Sequence, residues 1–285
     1  MFEFAESAWN RLTKLDPFPQ PPLIRVRYPI VLMHGFGFFA SMRRGGHLHH
    51  EALNLRSHGV AAYAPNVSAY ETVRVRAEVW KKRLEFILEE TGTDRLNVIA
   101  QSMGGLDARY LISVLGMHDV IASLVTVSTP HRGSGIAELV LERPQRVREW
   151  TADFFNWMGA ISLPDATADF LTSVTELTPD YVCTQFNPHV QNHPSVRYYS
   201  YAGRAGKGTD VPINPVLQIQ NRLLHAREGV NDGFVSLPSA EWGAFLGTID
   251  ADHSQQVGIT FAGSGAFDSN EFYCETVKRL AADGF

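Results

Sequence analysis

The chain has 285 residues, of which 45% are hydrophobic and 19% are charged, and its formal net charge is −5 at pH 7. This is the composition of an ordinary globular protein, and the length suits one large α/β domain with a substantial core. Because the charges are spread along the chain rather than gathered in blocks, neither nucleic acid nor an anionic membrane is an obvious partner, which leaves a small-molecule or lipid substrate.

The N-terminal segment Met1-Phe-Glu-Phe-Ala-Glu6 is acidic where a secretory leader is basic, and no apolar stretch is long enough to cross a membrane. As written, the sequence predicts a cytoplasmic protein without a transmembrane segment; the alternative is a secreted protein whose leader has been removed. The two cysteines, Cys183 and Cys274, are too few for a disulfide framework and are expected to be free, buried thiols.

Strand and helix patterns alternate in the first half of the chain. Apolar runs that predict buried strands are separated by segments with apolar side chains at helical spacing. This rhythm predicts a mostly parallel, doubly wound sheet with right-handed crossovers, whose active-site groups gather at the carboxyl ends of the strands. The predicted strands are 28–33, 60–64, 97–100 and 123–128, and the predicted helices are 70–90 and 103–115.

The segment between the first two strands contains His47, His49 and His50, which invites a metal-site interpretation. No second cluster of cysteines or carboxylates accompanies these histidines at ligand spacing. The sequence therefore predicts a polar loop and the start of a helix here, and no metal.

A sharp strand-to-helix turn is predicted around Ser102. The sequence Ala100-Gln-Ser-Met-Gly104 follows a predicted strand and precedes a predicted helix, which is the context of a nucleophile elbow. Small residues are needed beside such a serine because its strained backbone passes close to the helix and the next strand. Ser102 is therefore the candidate nucleophile, and its context outweighs a chance match to a short motif.

The alternation stops after Ala137. Up to about residue 180 the sequence has no strand signal but holds a long helical, aromatic-rich region. We interpret residues 137–180 as a helical lid inserted into a single domain that spans residues 1–285, the alternative being a core helix. The side chains expected to cover the substrate are Trp150, Phe154, Trp157 and Ile161.

The sheet resumes in the last third of the chain. Predicted strands at 196–202, with alternating burial, and at 245–249 flank a helix near 216–226, and a final helix is predicted at 269–282. His253 follows the last strand in a polar loop, whereas His225 lies within a helical stretch. His253 is therefore the preferred candidate for a catalytic base.

A serine hydroxyl becomes nucleophilic when an imidazole removes its proton and a carboxylate fixes the tautomer of that imidazole. Asp232 is the preferred carboxylate because its turn contains a glycine and lies far enough from His253 for a strand to run out and back. Its competitors are Asp210, Asp250 and Asp252. Asp107, on the helix after the elbow, is expected to be structural.

An oxyanion hole needs two backbone N–H groups that point at the developing alkoxide. The glycine loop His34-Gly-Phe-Gly37 follows the first strand and can turn back toward the nucleophile. We assign the two donors to Phe36, in this loop, and Met103, after the serine.

Five motifs together resemble the bacterial triacylglycerol lipases of the Pseudomonas and Burkholderia group. The resemblance implies an α/β-hydrolase fold with Ser102, Asp232 and His253 as the catalytic triad, in agreement with the spacing. The motifs, which occur in the family's order and span most of residues 28–260, are Tyr28–Gly35, Val98–Gly105, Thr129–Ser134, Tyr198–Ser200 and Asn231–Val235.

Three differences from those lipases affect the expectations. No secretion leader is visible, and the family's second disulfide cysteine, shortly after the acid turn, is missing. The family's structural calcium is held by carboxylates, where this sequence has Gln218 or Asn221 before the acid turn and Ser254 and Gln255 after the histidine. We therefore expect no calcium site and no other cofactor.

The sequence predicts a serine carboxylic-ester hydrolase, in particular a lipase that acts on acylglycerols or similar hydrophobic esters at a lipid–water interface through an acyl-enzyme. A short-chain carboxylesterase, an acyltransferase and a polyester depolymerase are alternatives on the same triad. A non-catalytic binding module is disfavoured by the complete triad and both glycine turns. The sequence does not predict the oligomeric state.

Overall fold

A parallel sheet of six strands lies at the centre of the structure, a computed structural model that describes residues 8–10, 12–13, 21–36, 46–68, 71–142, 168–260 and 265–285. All neighbouring strands pair in parallel, in the order β2-β1-β3-β4-β5-β6. The strands are β1 Ile30–Met33, β2 Ala62–Tyr63, β3 Leu96–Gln101, β4 Ile121–Val127, β5 Arg197–Gly203 and β6 Ala244–Ile249.

The helices connect these strands, as parallel pairing requires. The helices whose bounds the structure gives are α1 His49–Ser57, α2 Val73–Thr91, α3 Gly104–Ser113, α4 Gly135–Glu142, α5 Ala168–Thr175, α6 Pro179–Tyr181, α7 Asn187–His189, α8 Gln218–Glu228, α9 Leu237–Ala240 and α10 Ser269–Ala282. A π-helical turn joins α6 to α7 at Val182–Phe186, and short 3₁₀ turns lie at Met117–Asp119, Pro215–Leu217 and Gln255–Val257.

Two apolar layers cover the two faces of the sheet. Successive strand residues point to opposite faces, so Ile30 and Leu32 of β1 pack on one side, and Val31 and Met33 pack on the other. Helices α1 and α10 cover the first face, and α2 and α3 cover the second. Because both faces are covered, the strands read as continuous apolar runs rather than as alternating patterns.

The strand order places the site. The chain crosses from β1 to β2 at the edge of the sheet and then returns to β3 on the other side of β1. The loops after β1 and β3 therefore diverge at a topological switch point, where open α/β sheets bind their ligands. Gly35 follows β1 and Ser102 follows β3, so both lie at this crevice.

The helix predicted at 70–90 is present, and its apolar residues at helical spacing are the ones that pack into the core. Helix α2 begins at Val73, after the N-cap Thr72 whose side chain accepts a hydrogen bond from the Val75 N–H, and it ends before Gly92 in the left-handed conformation. Its predicted apolar stripe is buried as expected. The stripe consists of Val73, Ala77, Trp80, Leu84 and Ile87.

Two details differ from the sequence predictions. Apart from Arg197 at its start and the partly exposed Tyr201, β5 is buried on both faces, so the alternation predicted there is wrong, because β4 and β6 flank this strand and both apolar layers reach it. Both cysteines are free as predicted, but Cys183 is exposed on the π-helical turn and Cys274 alone is buried.

The predicted insertion at 137–180 is described at its ends, where α4, α5 and α6 are helical. Residues 143–167, which include Trp150, Phe154, Trp157 and Ile161, lie outside the described residues, so the lid stays a prediction. Among the helices that the structure describes, none has the length and apolarity needed to span a membrane.

Candidate active site

Ser102 lies on a strained turn between β3 and α3. Its φ is +56°, in the left-handed region that residues with a side chain rarely adopt. The turn is held from both sides: the Ser102 N–H donates to the carbonyl of Val127 at 2.9 Å, and the Thr129 hydroxyl donates to the Ser102 carbonyl at 2.8 Å. This geometry lifts the serine side chain out of the sheet, as the elbow motif predicted.

The glycines that follow Ser102 are required by close packing. A Cβ on Gly104 would lie 2.8 Å from the carbonyl oxygen of His34, and a Cβ on Gly105 would lie 2.1 Å from the Thr129 hydroxyl oxygen. Neither distance is compatible with a methyl group. The elbow can therefore sit against the β1 loop and the β4 loop only because these two positions lack side chains.

The structure brings Ser102, His253 and Asp232 together. Nε2 of His253 lies 2.9 Å from Oγ of Ser102, and Nδ1 lies 2.8 Å from Oδ2 of Asp232. Asp232 is fully buried and His253 is 7% exposed, so water competes little for either contact. A carboxylate, an imidazole and a hydroxyl in this order can move the hydroxyl proton to Nε2 and stabilise the resulting cation.

The turn around Asp232 fixes its carboxylate. Oδ1 accepts hydrogen bonds from the N–H groups of Phe234 at 3.0 Å and Val235 at 2.8 Å, which leaves Oδ2 for His253. The His253 N–H in turn donates to the Asp232 carbonyl at 3.0 Å. Burial by itself would raise the pKa of Asp232, but His253 and the two N–H groups outweigh it and keep the pKa below its usual value.

The predicted oxyanion loop lies directly against the elbow. A Cβ on Gly35 would lie 2.9 Å from the backbone nitrogen of Met103, the second predicted donor. Phe36, the first predicted donor, is the next residue along the loop. The side chains of Phe36 and Met103 join one apolar cluster beside the serine. The loop is therefore close to the elbow, and the assignment of the Phe36 and Met103 N–H groups as oxyanion donors stays a prediction.

Two carboxamides also reach the site, and sequence reasoning gave them no role. Gln256 Nε2 donates to Oδ2 of Asp232 at 2.8 Å, and Gln101 Nε2 lies 3.2 Å from Nε2 of His253. Nothing in the spacing distinguishes these glutamines from surface polar residues. The one available signal is that each is next to a predicted site residue or within three residues of it.

Arg76 was also missed, and it joins the loop after β1 to helix α3. Its guanidinium donates to the His34 carbonyl at 2.7 Å and to Oδ2 of Asp107, on α3, at 2.8 Å, and Trp80 donates to the same oxygen. Burial raises the pKa of Asp107 to about 6, although Arg76 opposes the rise. Asp107 is structural, as expected, and Arg76 could have been suspected because it shares the buried face of α2.

The histidine before Gly35 is neutral. Its Nδ1 lies 3.0 Å from the Gly35 carbonyl, and its Nε2 accepts a hydrogen bond from the Val67 N–H at 3.2 Å. Burial, followed by the charge of Arg76 and the neighbouring His47, lowers the pKa of His34 to about 3. An imidazole with these two partners fixes the course of the loop that carries Phe36.

The competing acids and base have other partners. Asp250 pairs with Arg204 at 2.6 Å on the surface, and Asp210 is exposed. His225 lies on α8 against Gly208. Asp252 is buried, but its carboxylate accepts hydrogen bonds from Asn214 and Ser254, and it is Asp232 that contacts the imidazole.

The residues present do not fit the calcium site implied by the family. The two carboxylate oxygens of Asp252 already accept four hydrogen bonds, from Ser254 twice and from Gln255 and Asn214. The Asn221 carboxamide bonds protein groups with both of its atoms. Within the part of the chain that the structure describes, no group of three or more His, Cys, Asp or Glu side chains could hold a metal ion.

Comparison with known proteins finds triacylglycerol lipases among the similar sequences. The triacylglycerol lipase of Pseudomonas fragi is 27% identical over 293 residues, an alignment of 92% of this chain with 98% of that relative. Triacylglycerol lipase 2 of Saccharomyces cerevisiae is 32% identical over 206 residues, which are 70% of this chain, and the match spans 58% of the yeast protein. The chain is therefore similar in sequence to bacterial triacylglycerol lipases.

The fold of the chain is that of the α/β-hydrolases. Lipase 1 from Pelosinus fermentans superposes with a TM-score of 0.67 over 90% of this chain and 99% of that chain, at 16% sequence identity. The predicted fold class and the predicted resemblance are therefore confirmed. No family model matches the sequence.

Proposed function

We propose that this protein hydrolyses hydrophobic carboxylic esters through a covalent acyl-enzyme, with Ser102 as nucleophile, His253 as base and Asp232 as the acid that orients it. The observation that carries the proposal is the continuous chain of contacts from Asp232 to His253 at 2.8 Å and from His253 to Ser102 at 2.9 Å. The relatives named as triacylglycerol lipases support the same reaction class.

The mechanism begins when Nε2 of His253 takes the hydroxyl proton and Oγ of Ser102 attacks the ester carbonyl carbon. The carbonyl oxygen becomes an alkoxide, which the N–H groups of Phe36 and Met103 receive. The intermediate then collapses, the bond to the alcohol oxygen breaks, and His253 returns the proton to that oxygen. Water repeats the sequence on the acyl-enzyme and releases the acid.

The apolar cluster beside the serine favours a hydrophobic acyl group. Phe36, Met103, Leu106 and the helical segment that includes Val182 and Phe186 form one packed wall next to the elbow. Most of this cluster is buried, but Phe36 is only partly buried, and an alkyl chain packed against it would gain about 0.8 kcal/mol for each buried CH₂. The proposed substrates are therefore acylglycerols or similar esters, met at a lipid–water interface.

A fluorophosphonate probe tests the proposal. It should label wild type at one serine and leave Ser102→Ala unlabelled, and ester hydrolysis should fall by several powers of ten in that variant. Hydrolysis of p-nitrophenyl esters from acetate to palmitate, with and without an emulsion, measures the acyl preference. Labelling that persists in Ser102→Ala contradicts the nucleophile, and a rate that falls steadily from acetate to palmitate contradicts the hydrophobic substrate.

A further inference from the structure

The side chain of Gln101 competes with the nucleophile for the base. Gln101 is the last residue of β3 and is 4% exposed. Its Nε2 lies 3.2 Å from Nε2 of His253, and that same imidazole nitrogen lies 2.9 Å from Oγ of Ser102. An unprotonated imidazole nitrogen has one lone pair, so two donors share it.

The hydrogen-bond network determines the direction of this contact. Nδ1 of His253 faces Oδ2 of Asp232 at 2.8 Å, and a carboxylate only accepts, so Nδ1 carries the proton and Nε2 is the acceptor. The amide group of Gln101 that faces Nε2 is therefore its NH₂, which donates. A carbonyl oxygen at this distance would repel the lone pair.

We propose that Gln101 is a positioning residue for the reaction: its amide donates to Nε2 of His253 in the resting protein and stabilises the neutral, base-competent imidazole. This inference rests on the proposed hydrolase function. When Nε2 takes the Ser102 proton it becomes a donor, and the NH₂ of Gln101 then faces a donor instead of a lone pair, which disfavours the cation.

The surroundings of His253 allow the effect of a substitution at position 101 on the imidazole to be measured. Among the described residues, Asp232 is the charged side chain in hydrogen-bond contact with the imidazole, and it lies on the Nδ1 side. The carboxylate of Asp252, the neighbour in the chain, is turned to Ser254, Gln255 and Asn214. The ring of Phe234, 5.1 Å away, is uncharged. A new group at position 101 therefore acts on Nε2 directly.

Two substitutions change the donor in different ways. Gln101→Met keeps the length of the side chain and removes the donor. The protonated form of His253 is then disfavoured less, so the acid limb of the plot of kcat/KM against pH should move to higher pH by roughly half a pH unit. Gln101→Glu puts a carboxylate beside Nε2, and the acid limb should move up by about one unit or more. A purely structural glutamine would change kcat/KM by the same factor at every pH.

The control is Gln220→Met, which replaces an equally buried glutamine on α8 whose amide atoms have no hydrogen-bond partner among the described residues. Its acid limb should coincide with that of wild type. A limb that stays in place or moves down in Gln101→Met overturns the proposal. If Gln101→Glu does not fold, Gln101→Met still decides.

A second measurement does not depend on hydrolysis. The titration of the His253 imidazole, followed by ¹⁵N NMR and assigned with His253→Ala, should have a higher midpoint in Gln101→Met than in wild type. Equal midpoints overturn the role of Gln101 even if the protein hydrolyses esters. If wild type hydrolyses no ester, the proposed function fails, and the NMR comparison still decides whether Gln101 donates to His253.

Discussion

Gly35 and Ser102 are in direct contact: a Cβ built on Gly35 would lie 2.5 Å from Cβ of Ser102. The same Cβ would lie 2.9 Å from the carbonyl oxygen of Gln101. The loop after β1 can approach the nucleophile only with a glycine at this position. This contact sets the distance between the serine and the N–H of Phe36, the next residue along the loop.

Gly35→Ala should therefore lower activity without unfolding the protein. The added methyl has to push the loop away from the elbow, which moves the Phe36 N–H from the alkoxide. Loss of one oxyanion donor costs about a hundredfold or more in kcat. Steady-state kinetics and a melting curve measure the two effects. Gly265→Ala, where a Cβ meets only ordinary contacts at 3.5 Å or more, is the control, and equal kcat in both variants would contradict the assignment of Phe36.

Asp232→Asn should reduce turnover far more than Asp252→Asn. The first change removes the charge that stabilises the His253 imidazolium and disturbs the Nδ1–H tautomer, an effect of about 10⁴-fold in a comparable triad. The second change affects a carboxylate that holds Ser254, Gln255 and Asn214 but does not contact the imidazole. Comparison of kcat for the two variants is the measurement. A larger loss in Asp252→Asn would move the acid to that residue.

Acid should destabilise the fold through His34. The pKa of His34 is lowered to about 3 in the folded state, so the unfolded chain binds the proton more readily. The contribution of neutral His34 to the free energy of unfolding is therefore fully present above the unfolded-state pKa near 6.5 and is lost as the pH falls below that pKa. At pH 5 the loss is about 2 kcal/mol. His131, whose pKa burial lowers well below its usual value, acts in the same direction.

Urea unfolding at pH 7.5 and pH 5 tests this effect. The fall in unfolding free energy between the two values should be about 2 kcal/mol smaller in His34→Asn than in wild type. His189→Asn, at an exposed histidine, should keep the whole wild-type fall. The same fall in His34→Asn and wild type would mean that His34 is not buried in its neutral form.

Chelation should leave the protein unchanged. The amides and hydroxyl that stand where related lipases have calcium carboxylates lack the charge that holds a hard cation, and Asn221 and Asp252 already bond protein groups. We expect the melting temperature and the ester-hydrolysis rate to be equal with EDTA and with added calcium. A fall in either with EDTA, reversed by calcium, would show that a calcium site exists.

The elements of the fold that the sequence predicted are those with a strong local signal. Buried parallel strands are continuous apolar runs, and α2 has an unbroken helical stripe, so their positions were within a few residues of the structure. The shortest strand, β2, covers only Ala62–Tyr63 because a single neighbour, β1, pairs with it at the edge of the sheet. A run of apolar residues does not indicate how many of them form backbone hydrogen bonds with a neighbouring strand.

For the site, chain order was enough to bring Ser102, Asp232 and His253 together, because the fold class dictates which loops meet. Their catalytic roles stay predictions. The partners Gln101 and Gln256 could not be predicted, because they are ordinary polar residues in sequence and their importance arises from burial at one place. Arg76, which bonds the His34 carbonyl and Asp107, was overlooked although it lies on the buried face of α2. A periodicity argument counts apolar side chains and passes over an arginine on the same face of a helix.

The distance along the chain between the reacting groups has a consequence for biosynthesis. Ser102 and His253 are 151 residues apart, and β4, β5 and β6 are made between them. The N-terminal part of a domain leaves the ribosome first, so the nucleophile strand is exposed to the cell well before its base exists. A nascent or truncated chain that ends before His253 carries Ser102 without its proposed base. The proposed hydrolysis therefore requires synthesis at least as far as His253, and a chain interrupted before that residue would be inactive.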